Sequence, residues 1–182
     1  EKRTVGPTLG ADSLARSIQA GIVGFVAILV FMLGYYRLPG LVANFALVTY
    51  TLLVLTIYAA LKVTMTLPGI FGFLLSLGMA IDANIIIFER LKEELRSGRT
   101  LRSAIDVGFK RAFITVLDAN VTTLIAAAVL YFLGTGMIKG FAVTLSIGIV
   151  ASMFTAVSFT RYLLHLVAGV RPVKNLKLLY GA

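Results

Sequence analysis

Five stretches of almost unbroken apolar residues, parted by charged turns, set the pattern of this chain. Ser17 to Tyr36 is uncharged and stops at Arg37, and Leu38 to Leu61 is uncharged and stops at Lys62. A third runs from about Leu67 to Phe88, with Pro68 placed for a first helical turn. The fourth covers Ala112 to about Leu133, and the fifth covers Gly140 to Thr160, between Lys139 and Arg161. A helix needs about 20 apolar residues to cross the hydrocarbon core of a bilayer. Each stretch is long enough, so the pattern predicts an all-α, polytopic transmembrane helix bundle. Its spans fall at about 17–36, 38–61, 67–88, 112–133 and 140–160.

The connections are unequal. Arg37-Leu38-Pro39-Gly40 reads as a tight turn, and 62–66 and 134–139 are short. The segment from Glu89 to Arg111 is long and charged. Glu89/Lys92, Arg90/Glu94 and Glu93/Arg96 are opposite charges three or four residues apart, which predicts that the third helix continues into water. Ser97-Gly98 should break it. Thr100 is placed to cap a short second helix over about 99–109. Its apolar stripe of Leu101, Ala104, Ile105 and Gly108 predicts that it lies in the membrane interface. Gly21/Gly24, Gly69/Gly72 and Gly148/Ser152 have the spacing of helix-packing contacts.

Composition agrees with a lipid environment. Of 182 residues, 59% are hydrophobic and 14% charged, against about 45–50% and 25% in soluble domains. Mean hydropathy is +0.96. The net charge of +9 would suggest nucleic acid in a soluble protein. Here the basic residues sit at the ends of apolar runs, which fits lipid headgroups instead. The absence of cysteine excludes disulfides, thiolate metal sites and cysteine nucleophiles. The one histidine, His165, follows the last span and reads as incidental, so no metal or cofactor is expected.

Basic residues also predict orientation. Five spans place the long loop, the Arg37 turn and the C-terminal tail on one side. That side carries 12 Lys and Arg residues, against five on the other (Lys2, Arg3, Arg16, Lys62 and Lys139). The rule that cytoplasmic loops are richer in Lys and Arg makes the first side cytoplasmic and the N-terminus external. Residues 1–12 then read as the tail of a preceding extracytoplasmic domain, itself preceded by another span. Residues 13–168 form the membrane domain and 169–182 a basic cytoplasmic tail.

Asp82 and Asp118 are the ionisable groups inside the spans. A centred aspartate costs about 2.5–3.5 kcal/mol on insertion scales, so such residues tend to be used or neutralised. Asp82 precedes Arg90 by about 12 Å of helix, and Asp118 follows Arg111 by about 10 Å. Equal depth would let them share one polar pocket if their helices pack together. The words Asp82-Ala83-Asn84 and Asp118-Ala119-Asn120 repeat, and Thr115, Thr122 and Thr123 lie near Asp118. No Lys, Arg or His lies at that depth, so desolvation or a partner's cation must govern these carboxyls. A proton pathway through Asp82 and Asp118 is one reading, with Asn84, Asn120, Thr122 and Thr123 in support. Hydrogen bonding that merely holds helices in register is the other.

The words themselves resemble the SecD family. Thr4-Val5-Gly6-Pro7-Thr8-Leu9-Gly10 is similar to its join between extracytoplasmic and membrane domains. Ala80-Ile81-Asp82-Ala83-Asn84 with Phe88-Glu89-Arg90-Leu91-Lys92-Glu93-Glu94 resembles its fourth-helix signature. Asp118-Ala119-Asn120-Val121-Thr122-Thr123 and Gly134-Thr135-Gly136-Met137-Ile138-Lys139-Gly140 resemble later parts of its pattern. The resemblance implies a membrane domain like those of the resistance-nodulation-division superfamily, in a bacterial plasma membrane. It implies a partner SecF, separate or fused, whose aspartate and arginine would complement Asp82, the family's proton-path residue. It also implies work with SecYEG and SecA on unfolded preproteins, with YajC and YidC as further candidate partners.

Three functions stay open: a proton-driven export component, a passive scaffold of the translocon or insertase, and a small-molecule exporter of the same superfamily. The short outer loops speak against the third. No G-x-x-x-x-G-K-[ST] phosphate loop occurs, so no hydrolytic enzyme is expected.

Overall fold

In a computed structural model, the backbone is described from Pro7 to Val170 and the side chains over 12–169. Helix α1 (Pro7–Ala60) has 54 residues, which would run about 80 Å if straight. It breaks at Arg37, whose φ of 51° and ψ of −112° are not helical. The two arms fold back on each other there. Asn44 Nδ2 donates to the Leu29 carbonyl at 3.0 Å, although the two residues would stand about 22 Å apart along an unbroken helix. Gly40 lies at the tight point: a Cβ there would run into the Met32 carbonyl.

Helix α2 (Leu67–Arg96) starts from Thr66, whose hydroxyl accepts from the Gly69 amide at 3.2 Å. It continues well past Phe88, as the charged pairs predict, and stops at Ser97-Gly98, where Gly98 takes a φ of 87°. Helix α3 (Leu101–Leu133) follows, with Thr100 at its N-cap but making no side-chain cap bond. Helix α4 (Gly136–Phe154) passes through a π-helical turn (Thr155–Phe159) into α5 (Thr160–Val170). Four helical stretches are long and apolar enough to cross a membrane: Asp12–Ala60, Leu67–Arg96, Leu101–Leu133 and Gly136–Gly169. The described residues contain no strand.

Two sequence expectations need correction. The interfacial helix at 99–109 is not a separate element. Residues from Leu101 onward are the first turns of α3, and Ala104, Ile105, Gly108 and Phe109 are buried there. The stripe is real, but it packs on α2: a Cβ on Gly108 would sit only 3.1 Å from the Leu91 backbone nitrogen. The ion pairs also differ. Glu89 does meet Lys92, at 3.2 Å, but Arg90 pairs with Glu93 at 2.7 Å. Glu94 is buried and takes Arg99 at 2.7 Å and Arg111 of α3 at 2.5 Å, clamping the α2–α3 turn.

Helix α2 is the centre of the bundle and packs against α1, α3 and α4. Its seam with α4 is built from small residues. A Cβ on Gly72 would meet the Thr144 side chain and the Phe141 carbonyl, and one on Gly148 would run into Ser76. Ser76 in turn shares a 2.7 Å hydrogen bond with the Tyr50 hydroxyl, and Tyr58 donates to the Thr144 carbonyl at 2.8 Å. Both ties come from the second arm of α1, one to α2 and one to α4, and so hold that arm against the two helices that approach closely. Gly21 packs on Leu74, whereas Gly24 faces open space and makes no packing contact among the described residues.

The bundle has two distinct ends. At one, buried Lys92 lies over the rings of Tyr35 and Tyr36, 4.7 and 4.4 Å from their centroids, tying the Arg37 break to the end of α2. At this same end Arg161 of α5 pairs with Asp106 of α3 at 2.6 Å. At the other end the 62–66 turn meets the start of α4, where Thr66 touches Gly140. The expected tail over residues 1–12 is helical from Pro7 on. The first six residues and the basic tail after Val170 lie outside the described residues.

Candidate functional site

Helix α2 buries one side against α3 and α4 and leaves a stripe of Phe71, Leu75 and Asp82 exposed. The Asp82 side chain opens into a groove of about 390 Å³ between α2 and the first arm of α1. Its other lining residues are Ala27, Ile28, Phe31, Gly78, Ile81 and Ile85, all apolar. Neither a hydrogen bond nor an ion pair reaches the Asp82 carboxylate from the described residues. A single carboxyl thus stands in an apolar groove, at the mid-length of a helix able to cross a bilayer.

Asp118 is placed differently. Helix α3 buries Ala112, Val116 and Asn120. Asp118 lies two residues from both Val116 and Asn120, about 200° around the helix, and so faces outward. It does not line the Asp82 groove. The pocket they were expected to share if their helices packed together is therefore not formed among the described residues. Helix rotation aims the two carboxyls at different surroundings.

The supporting polar residues do not serve either carboxylate. Asn84 is buried, donates to the Ala80 carbonyl at 3.0 Å and accepts from the Thr160 hydroxyl at 2.9 Å. Asn120 is buried and donates to the Val116 carbonyl at 2.7 Å. Thr122 and Thr123 donate to main-chain carbonyls of Asp118 and Ala119, at 2.9 and 3.0 Å. Asn84 therefore ties α2 to α5, Asn120 bonds within its own helix, and neither engages an aspartate side chain.

Sequence reasoning missed three groups. Thr160 reaches Asn84 because the π turn inserts an extra residue just before it, and its hydroxyl also contacts the Thr155 carbonyl at 3.2 Å. His165 is not incidental: its Nε2 lies 3.2 Å from Asp106, beside Arg161. Arg161 and His165 share a helix face four residues apart, a visible signal, but their carboxylate lies 55 and 59 residues away in sequence. Glu94 is the third, since its partners are separated from it by the turn. Among the described residues, no cluster of His, Cys, Asp and Glu could hold a metal ion.

Residues 1–169 match the family described as protein export membrane protein SecD/SecF, C-terminal. The chain is 57% identical over 175 residues to the protein translocase subunit SecD of Acidaminococcus fermentans, covering 96% of this chain and 42% of that protein. It is 57% identical over 164 residues to the SecD subunit of Synechocystis, covering 90% of this chain and 35% of that one. It thus spans well under half the length of these relatives. Among solved structures, SecDF of Thermus, a translocon-associated membrane protein, superposes with a TM-score of 0.88 at 45% identity. That match covers 91% of this chain and 23% of the other. SecDF in a super-membrane-facing form gives 0.84, also at 45% identity, over 90% and 22%.

Proposed function

This multi-pass membrane chain belongs to the SecD/SecF family of protein-export membrane proteins, and on that premise we propose that it is the proton-responsive membrane domain of an export subunit. Asp82 carries the proposal. Its carboxyl stands in an apolar groove with no cation or hydrogen-bond donor among the described residues, so a proton can come and go there without breaking a tie to a neighbour. Loading and unloading a proton there would change the balance of forces between α2 and the first arm of α1. One charge moving through 100 mV corresponds to about 2.3 kcal/mol, enough to shift a two-state equilibrium roughly fiftyfold. No hydrolytic chemistry enters this reading.

The proposal extends to the whole assembly. The hairpin at Arg37 supports five crossings, since each arm of α1 is long enough for one. The basic end then faces the cytoplasm of a bacterial plasma membrane and the 62–66 turn faces outward. SecF, separate or fused, would supply the cation near Asp82. SecYEG, SecA and unfolded preprotein would be the working partners, with YajC and YidC as further ones.

The test is Asp82→Asn in the intact protein. Gradient-dependent export should fall to the level seen without the gradient, with membrane insertion and partner assembly unchanged. Export that keeps its full gradient dependence would leave only the scaffold role. The same exchange at Asp118 separates a second titrating group from a structural one.

A further inference from the structure

A second groove, of about 330 Å³, lies between α3 and the π turn and shares no lining residue with the groove of Asp82. It is lined by Asp106, Phe109, Lys110, Phe113, Val157 and Arg161. Its walls fall into two tiers. Asp106, Lys110 and Arg161 make a charged rim at the basic end of the bundle. Phe113 and Val157 lie about one helical turn further toward the apolar middle, on α3 and the π turn respectively.

The charges at this end do not cancel. Each carboxylate from Glu89 to Asp106 is already engaged: Glu89 by Lys92, Glu93 by Arg90, Glu94 by Arg99 and Arg111, and Asp106 by Arg161 and His165. Lys110 is exposed on the rim and makes no ion pair among the described residues. Arg161 commits Nη2 to Asp106, which leaves further guanidinium donors for another acceptor. Two cations against one carboxylate make the rim a site for an anion.

We infer that this groove seats the phosphodiester of an anionic phospholipid. Lys110 and Arg161 donate to the phosphate, and one acyl chain runs along Phe113 and Val157. The apolar tier favours a lipid over free phosphate, which would use the rim alone. Arg161 suits a tetrahedral oxyanion because its guanidinium is oriented by the 2.6 Å pair with Asp106. The inference rests on the membrane reading, with this end at the headgroup level, and is independent of whether Asp82 titrates.

The test uses the intact protein in detergent, titrated separately with phosphatidylglycerol, phosphatidylcholine and inorganic phosphate, with bound lipid read by native mass spectrometry. Wild type should retain phosphatidylglycerol in preference to phosphatidylcholine. Lys110→Gln should weaken that retention about fivefold, Lys110→Arg should restore it, and Lys139→Gln at the opposite end should leave it unchanged. Equal retention of both lipids, or an equal loss in Lys110→Gln and Lys139→Gln, would overturn the site. Displacement of the lipid by inorganic phosphate at matching concentration would reduce it to a phosphate site. None of these outcomes depends on export activity, so failure here leaves the Asp82 reading standing.

Discussion

Single atoms decide the tightest parts of this bundle. Gly148 has no room for a methyl group, because Ser76 fills that space while held by Tyr50. Ser76 is neither flexible nor at the tip of a long side chain, so relief requires α2 and α4 to move apart. Gly148→Ala should therefore destabilise by about 1–3 kcal/mol, read as a lowered thermal midpoint in detergent. Adding Ser76→Gly, which removes both the hydroxyl and the Cβ that the new methyl would strike, should recover part of the loss. Gly24→Ala, facing open space, should change the midpoint little and serves as the control. Asp82 illustrates the opposite case: it opens into a groove, and no hydrogen bond or ion pair among the described residues holds its side chain.

At the scale of elements, two junctions hold the helices in register. The π turn swings Thr160 onto Asn84, so a buried amide oxygen is satisfied across two helices. Thr160→Val keeps the shape but removes the donor. It should cost about 1–2 kcal/mol, with faster amide exchange around the π turn. The α2–α3 turn depends on Glu94, whose side chain is 5% exposed while Arg99 and Arg111 remain about half exposed. This asymmetry predicts unequal mutants. Glu94→Gln leaves two arginines that water can solvate, and should cost about 1 kcal/mol. Arg99→Ala with Arg111→Ala strands a buried carboxylate and should cost about 3 kcal/mol or more. Chemical denaturation in mild detergent compares the two, and an equal cost would show that the pair's charge is not what holds the turn.

For the molecule as a whole, the two-ended distribution of contacts makes orientation testable. These 182 residues contain no cysteine, so a single replacement is the one thiol they carry. Ser97→Cys in the α2–α3 turn and Gly136→Cys at the start of α4 occupy opposite ends and are both exposed. A membrane-impermeant thiol reagent added outside intact cells should label Gly136→Cys and spare Ser97→Cys until the membrane is broken. The reverse result would invert the proposed orientation, and labelling of both would remove the span between them.

Apolar runs longer than a bilayer is thick, punctuated by charge, made the helices and their connections legible from the residues alone. So were the Arg37 turn, the extension of α2 to Arg96 and the break at Gly98, because solvation and backbone sterics act locally and leave local marks. The family words around Asp82 and Asp118 were equally visible. Which way each helix is rotated was not, because in lipid an apolar face toward a neighbour and one toward acyl chains have the same composition. Only packing separates Asp82, aimed into a groove beside α1, from Asp118, turned outward on α3. Packing likewise joined Asn84 to Thr160, and Asp106 to Arg161 and His165 across 55 and 59 residues. Those contacts are set by helix phase and crossing, which hydrophobic periodicity does not encode when nearly every position is apolar.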